Sequence, residues 1–285
     1  MSEAALPYDQ VVFSGGGIRC FWHGGWVTTV TEHHPLRPDR IIGVSGGALS
    51  AAAWIAGTER RLLDVMCDAF ADEDANVSWH DLNKEDGLTP HQRVYCEVVE
   101  TVIDAEAQER ISGGPAFQVF LARPPDNLLT DLLSWLGGSA YELEKSFASR
   151  SQSQWSPRFG LKGEHVDARA AARDGRLAEL VTIAATIPPV FRIQDWDGAP
   201  AIDGGMVDQS PMPEPDEGPT LVLLTRTYDD LPIAEARDFV EPSEPVVDHK
   251  IDFTEPAKLH QAWRLGENDA AAWLEQRRGP TGEET

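Results

Sequence analysis

A strand that runs straight into a helix through a glycine-flanked serine limits the folds open to this chain more than any other stretch. Ile41 and Ile42 are β-branched and lead into Gly43-Val44-Ser45-Gly46-Gly47; Ala48, Leu49, Ser50, Ala51, Ala52 and Ala53 then continue with helix-compatible composition. A chain that reverses directly from strand to helix needs residues that tolerate strained or positive φ, and glycine tolerates both. The serine at the bend stands at the strand's carboxyl end, with its hydroxyl facing the positive end of a helix dipole. Such a turn is a nucleophile elbow, and the helix after it is expected to end near Gly57.

A shorter buried run, Val11-Val12-Phe13, precedes it and reads as a first strand over residues 9–14. It empties into Gly15-Gly16-Gly17-Ile18-Arg19-Cys20, and residues 21–30 follow as a helix that Gly24 and Gly25 weaken. Gly15-x-Gly17-x-x-Cys20 nearly matches a dinucleotide-binding fingerprint. That reading needs an acidic residue at the end of the second strand, where this chain has Ser45. The other reading is an oxyanion hole, in which successive glycine amides converge on one developing negative charge. Loop and serine would then sit at the carboxyl ends of adjacent parallel strands, where open α/β sheets place their sites.

From about residue 60 to 158 the pattern turns helical. Leu62, Leu63, Met66, Ala69 and Phe70 recur at helical spacing, as do Val94, Tyr95, Val98, Val99, Val102 and Ile103. Leu128, Leu129, Leu132, Leu133, Trp135 and Leu136 make a third apolar face, which suits core packing or a lid facing lipid. Residues 164–172 are polar and lead into a small-residue helix over 177–186 that Pro188 and Pro189 end. Residues 190–193 alternate like a strand, residues 196–200 read as a hairpin turn, and Ala201-Ile202 runs into Asp203-Gly204-Gly205. Leu221-Val222-Leu223-Leu224-Thr225 is a buried strand. An acidic, proline-rich loop over 238–245 and a terminal helix around 257–276 complete the chain.

Together these make one domain over residues 1–285. Its core is formed by 9–60 and 161–226, with a helical insertion at about 61–160 and a tail with a helix at 227–285. The fold class is α/β, a three-layer α/β/α sandwich with a mostly parallel central sheet.

Charge narrows the partners. With 24 Lys and Arg against 47 Asp and Glu, the net charge is −23, which argues against nucleic acid and against electrostatic docking on anionic membranes. Cys20, Cys67 and Cys96 are scattered with no CxxC pair, as suits a cytoplasmic protein. No signal peptide is visible at the N-terminus, and no apolar run reaches the roughly 18 residues of a spanning helix. His80, His91 and His165 lack ligand spacing, so neither a metal nor another cofactor is expected.

Gly15-Gly16-Gly17-Ile18-Arg19, Gly43-Val44-Ser45-Gly46-Gly47 and Asp203-Gly204-Gly205, in that order, resemble the patatin-like phospholipases. The approach Ala185-Thr186-Ile187-Pro188-Pro189-Val190-Phe191 is similar to the family's segment there. Cys20 departs from the pattern by replacing the last glycine of the oxyanion motif. The resemblance implies a Ser–Asp dyad: Ser45 as nucleophile, Asp203 as general base, and an oxyanion loop formed by Gly15, Gly16, Gly17, Ile18 and Arg19. Gly43, Gly46, Gly47, Gly204 and Gly205 would support the two turns. It further implies hydrolysis of an acyl ester in a phospholipid or related lipid, met at a membrane surface or in solution. Arg19 fits two roles, orienting the loop or meeting a phosphate on one side, a structural ion pair on the other.

Two other readings compete. Ser45, Asp203 and His260 have the chain order of an α/β-hydrolase triad. That elbow follows several strands, and about forty residues are too few to supply them. A chain with these motifs that has lost activity would serve as a lipid-binding module.

Overall fold

The computed structural model describes residues 4–71, 90–125, 160–188, 191–229, 231, 234–247 and 255–278. The apolar stripe at 128–136 lies outside them. Eight strands among the described residues form one sheet: β1 (Gln10–Phe13), β2 (Arg40–Val44), β3 (Ala116–Arg123), β4 (Lys162–Asp167), β5 (Gln194–Trp196), β6 (Ala199–Asp203), β7 (Thr220–Leu223) and β8 (Arg237–Val240). The order is β5-β6-β3-β2-β1-β7-β8, with β4 also paired to β3. The five strands from β3 to β8 are parallel neighbours, whereas β4 and β6 join β3 antiparallel.

Alternation along the strands sends side chains to two buried faces. Val11, Phe13, Ile41, Phe117, Val119, Leu121, Leu221 and Leu223 enter the large core shared with the helices. Val12, Ile42, Val44, Phe120, Val222 and Leu224 enter a second cluster that Val207, Met212, Tyr228, Leu231 and Phe239 cover. A mostly parallel sheet flanked by helices is therefore the scaffold, as the motifs led one to expect.

The helices are α1 (Phe21–His33), α2 (Gly46–Ala56), α3 (Glu59–Ala71), α4 (Pro90–Val102), α5 (Ala105–Gly113), α6 (Ala168–Arg173), α7 (Leu177–Ala184) and α8 (Pro256–Arg278). Gly57 ends α2 in the left-handed region at φ 68°, its amide returning to Ala53 and Trp54. Asp104 caps α5 through Ala107 N, and Asp167 caps α6 through Arg169 N and Ala170 N. Asp197 and Gly198 both take positive φ in the β5–β6 hairpin, the signature of a tight primed turn.

Gly24 and Gly25, which weaken α1 by propensity, are explained by its neighbour. A Cβ on Gly25 would lie 2.0 Å from Trp263 O, and one on Gly266 would lie 2.2 Å from Trp22 O. The backbones of α1 and α8 approach too closely for side chains, and packing outweighs the local cost of glycine, about 1 kcal/mol each. Trp22 Nε1 also donates to Asp269 Oδ2 at 2.7 Å.

Four stretches differ from the sequence reading. Residues 116–123, placed in the helical insertion, form β3 at the middle of the sheet. Their neighbours include both β2 and β6, so burial by long-range pairing decides their state, which a local window does not register. Residues 162–167 form β4 although they are polar, because only one edge of β4 pairs, along β3. Residues 237–240, placed in a loop, form β8 beside β7. There Asp238 meets Tyr8 and Arg277, which joins both ends of the described chain to the sheet. Of the strand-like stretch at 190–193, residue 190 lies outside the described residues, and 191–193 are instead a turn, with Phe191 N on Ile187 O, the strand starting at Gln194.

Candidate active site

Strand β3 measures out the site. Phe120 pairs with Val44 of β2, and the next residue, Leu121, pairs with Asp203 of β6. Because β4 pairs with Gln118–Arg123 along the other edge, β2 and β6 must share one edge of β3, end to end. The residue after Val44 is Ser45, so the two motifs meet although 158 residues separate them. Ser45 Oγ donates to Asp203 Oδ2 at 2.6 Å. The opposite carboxylate oxygen, Oδ1, accepts Gly205 N at 2.7 Å, and Asp203 N donates to Thr186 O at 2.9 Å. The serine is 7% exposed and the aspartate 3%.

The elbow is strained where the serine stands. Ser45 has φ 55° and ψ −134°, a conformation costing a non-glycine residue roughly 1–3 kcal/mol. It persists because its surroundings leave no alternative. A Cβ on Gly47 would stand 2.4 Å from both Phe13 O and Ser14 O, and one on Gly43 would be 2.6 Å from Ala48 Cα. The turn is thus pressed onto the end of β1, and Ser45 occupies the N-cap of α2, at the positive end of its dipole. Gly204 is constrained similarly, since a Cβ there would meet Phe120 O at 2.3 Å.

The glycine loop lies against the same elbow. A Cβ on Gly15 would be 3.5 Å from Ser45 Cβ. Gly17 turns at φ 58° into a 3-10 turn over Gly17–Cys20. Gly15 N donates to Gln209 O at 2.8 Å, so this amide is already engaged. Among the described residues no backbone acceptor takes the amides of Gly16, Gly17 or Ile18. Ile18 buries its side chain in the core. Arg19 Nε donates to Val247 O at 3.3 Å, which ties the turn to the tail and favours the structural role for this residue.

Cys20 fits where the family motif carries glycine. It is buried, its thiol donates to Ser14 O at 3.6 Å, and its carbonyl accepts Ser50 Oγ at 3.1 Å. The sulfur lies 3.0 Å from where a Cβ on Gly46 would stand, so loop and elbow pack through it.

Two residues without a role in the sequence reading hold this arrangement. Gln209 accepts Gly15 N with its carbonyl and donates from Nε2 to Gly205 O at 2.8 Å, linking the loop to the aspartate's turn. Thr225 Oγ1 donates to Gly15 O at 2.7 Å from the end of β7. Neither belongs to a spaced motif; only proximity to Asp203-Gly204-Gly205 and to the buried strand could have drawn notice. Gln209→Ala is expected to lower kcat about ten- to a hundredfold with a small change in melting temperature, because the loop loses its link to Gly205. Steady-state kinetics on a chromogenic ester with a parallel melting curve checks this.

The histidines do other work. His260 is exposed on α8, with Nε2 3.5 Å from Cys67 Sγ, away from the buried serine and aspartate. His165 Nε2 donates to Met212 O at 2.9 Å; nearby, burial raises the Asp208 carboxyl above its usual range, against the Ser210 amide that bonds it. His23 is fully buried and its Nε2 donates to Leu223 O at 3.2 Å. Burial holds its pKa down at about 3, against which the Leu223 carbonyl acts only partly. A depressed histidine takes up its proton in the unfolded chain near pH 6.5 and in the folded chain only near 3. Stability therefore falls by about 1.4 kcal/mol per pH unit as pH drops through that window. His23→Gln is expected to lose this component. Its unfolding free energy should gain on the wild type by that slope between pH 6 and 4 in denaturant titrations.

Among the described residues, no cluster of three or more His, Cys, Asp or Glu side chains is placed to hold a metal ion. No helix there is long and apolar enough to cross a membrane. The cysteines Cys20, Cys67 and Cys96 are free thiols.

A family model described as patatin-like phospholipase matches residues 11–216 of the chain. No curated protein matches it. Among solved structures, VipD from Legionella pneumophila superposes with a TM-score of 0.52 at 12% identity, covering 95% of this chain and 67% of that one. At that identity the likeness concerns the fold.

Proposed function

Because the chain belongs to the patatin-like phospholipase family, a family of lipid acyl hydrolases, we propose that it cleaves lipid acyl esters through Ser45 and Asp203. The observation that carries this reading is the 2.6 Å hydrogen bond from Ser45 Oγ to Asp203 Oδ2. It joins a strained, buried serine at a helix N-terminus to a carboxylate, beside a loop with unengaged amides.

The ester carbonyl carbon is attacked by Ser45 Oγ as the hydroxyl proton passes to Asp203 Oδ2. The tetrahedral oxyanion faces the amides of Gly16, Gly17 and Ile18, while the α2 dipole favours negative charge at the same point. Collapse expels the alcohol, which takes the proton from Asp203, and leaves the acyl group on Ser45. Water then attacks the acyl-enzyme, with Asp203 as base again, and the fatty acid departs. A carboxylate is a weak base for an alcohol, so the oxyanion donors must carry much of the barrier reduction. Gly205 N, bonded to Oδ1, directs the other oxygen of the carboxylate at the serine.

The substrate class is a phospholipid or a related acyl ester reached from the aqueous side. The test is fatty-acid release from phosphatidylcholine micelles, lysophosphatidylcholine and monoacylglycerol by wild type and His260→Ala. Release from at least one substrate, equal in the two proteins, is expected. Loss in His260→Ala would move the assignment to a triad, and no release from any ester would make the chain a binding module.

A further inference from the structure

The side-chain amide of Gln209 has two polar ends, and the fold occupies only one of them. Nε2 donates to Gly205 O at 2.8 Å. A carbonyl can only accept, so the end turned toward Gly205 O is the nitrogen and the other end is the oxygen. Among the described residues Oε1 accepts no hydrogen bond, yet it is not sealed inside the protein as the unpartnered polar atoms of Ser14, His23 and Tyr95 are. Gln209 itself is only half-buried, so water reaches this oxygen. It also lies beside the dyad. Oε1 is 2.6 Å, and Ser45 Cβ 3.5 Å, from the point where a Cβ on Gly15 would stand. Nε2 is 2.4 Å, and Asp203 Oδ1 3.0 Å, from the point where a Cβ on Gly205 would stand. One carboxamide thus places its oxygen next to the nucleophile and its nitrogen next to the carboxylate of the base. It is held at both ends of the residue, because the main-chain oxygen of Gln209 accepts Gly15 N at 2.8 Å. Loop and elbow need no bond from Oε1 for their own support, which leaves it as a fixed acceptor facing whatever occupies the site.

We propose that Gln209 Oε1 orients the water that releases the acyl group from Ser45, an inference that rests on the acyl-hydrolase reading above. Once Ser45 is acylated its hydroxyl hydrogen is gone, and Asp203 Oδ2 is free to accept from water. The water donates one hydrogen to Oδ2 and the other to Gln209 Oε1, which leaves a lone pair for the acyl carbonyl carbon. A bond forms from water oxygen to that carbon as the first proton passes to Asp203. Collapse breaks the bond from carbon to Ser45 Oγ, the proton moves from Asp203 to Oγ, and the free acid leaves. Gln209 stays neutral throughout and gains or loses no atom.

Methanol supplies the readout, because it has only one hydrogen to give. It can satisfy Asp203 but not Oε1 as well, so Oε1 favours water over methanol as the acyl acceptor. A glycine loop displaced as a whole slows both acceptors alike and leaves their ratio unchanged. With a p-nitrophenyl acyl ester at one fixed methanol concentration, the products to be measured are methyl ester and free acid. Gln209→Met removes both polar ends, and Gln209→Lys keeps a donor for Gly205 O without an acceptor. In each, the ratio of methyl ester to free acid should rise about tenfold over wild type. Gln209→Glu keeps an acceptor and loses the donor, and its ratio should stay near the wild-type value whatever its rate. Melting curves on the same samples show that each variant is folded. A wild-type ratio in Gln209→Met and Gln209→Lys overturns the proposal. So does an equal rise in Gln209→Glu, which makes the bond to Gly205 O the cause and Gln209 a structural residue. Neither product from the wild type would remove the acyl-hydrolase reading itself, and this inference with it.

Discussion

Ser45→Ala is expected to lower acyl-ester hydrolysis by at least about 10⁴-fold, to the level left by binding and oxyanion donors alone. The substitution removes the one hydroxyl that stands at the carboxyl end of β2, against the start of α2, bonded to a carboxylate. The elbow is fixed by backbone contacts at Gly43 and Gly47 and not by the serine. The fold should survive for the same reason. Alanine takes over the strained φ of 55° at no added expense, and the loss is one buried hydrogen bond, about 1–3 kcal/mol. Fatty-acid release by purified wild type and variant, with melting curves on the same samples, checks both halves. Residual activity within tenfold of wild type would mean that another group attacks the ester.

Asp203→Asn should cost nearly as much, about 10³- to 10⁴-fold in kcat, with little loss of stability. Asparagine has the same shape, and its Oδ1 can still accept Gly205 N, now bonded at 2.7 Å to the carboxylate. Its amide nitrogen would then face Ser45 Oγ and donate to it, which reverses the polarity of the bond. The hydroxyl would be held in place and yet have no acceptor for its proton. A drop in kcat with KM nearly unchanged is the expected pattern, since the group acts in the transition state more than in binding. An equally large rise in KM with kcat retained would assign Asp203 to substrate binding.

How much of this was legible in the sequence depends on how local each cause is. The elbow was, because Gly43 is required by Ala48 a few residues on, Gly47 by the end of the neighbouring strand, and Gly46 by the glycine-rich loop that precedes α1. Asp203 was legible only through its motif; its meeting with Ser45 is created by β3, a strand that falls inside the stretch read as a helical insertion. Val119 to Ala122 are buried on both faces of the sheet, so this part of the strand carries no amphipathic signature. Gln209 and Thr225 escaped for another reason. They act through single bonds to Gly205 O and Gly15 O, and one polar side chain near a turn has no spacing to read. Gly15 illustrates the converse: the motif marks it as a donor, and the fold assigns its amide to Gln209 O. Gly24, Gly25 and Gly266 look like helix breakers until α1 and α8 are seen to touch backbone to backbone.

The most direct measurement of whether Asp203 activates Ser45 is covalent labelling by a fluorophosphonate, which reacts with activated serines and needs no knowledge of the lipid. Wild type should gain one phosphonyl group, mapped by peptide mass spectrometry to the peptide that contains Ser45, and Asp203→Asn should label at least a hundredfold more slowly. Labelling of Asp203→Asn at the wild-type rate, or a label carried by a different residue, would contradict the dyad.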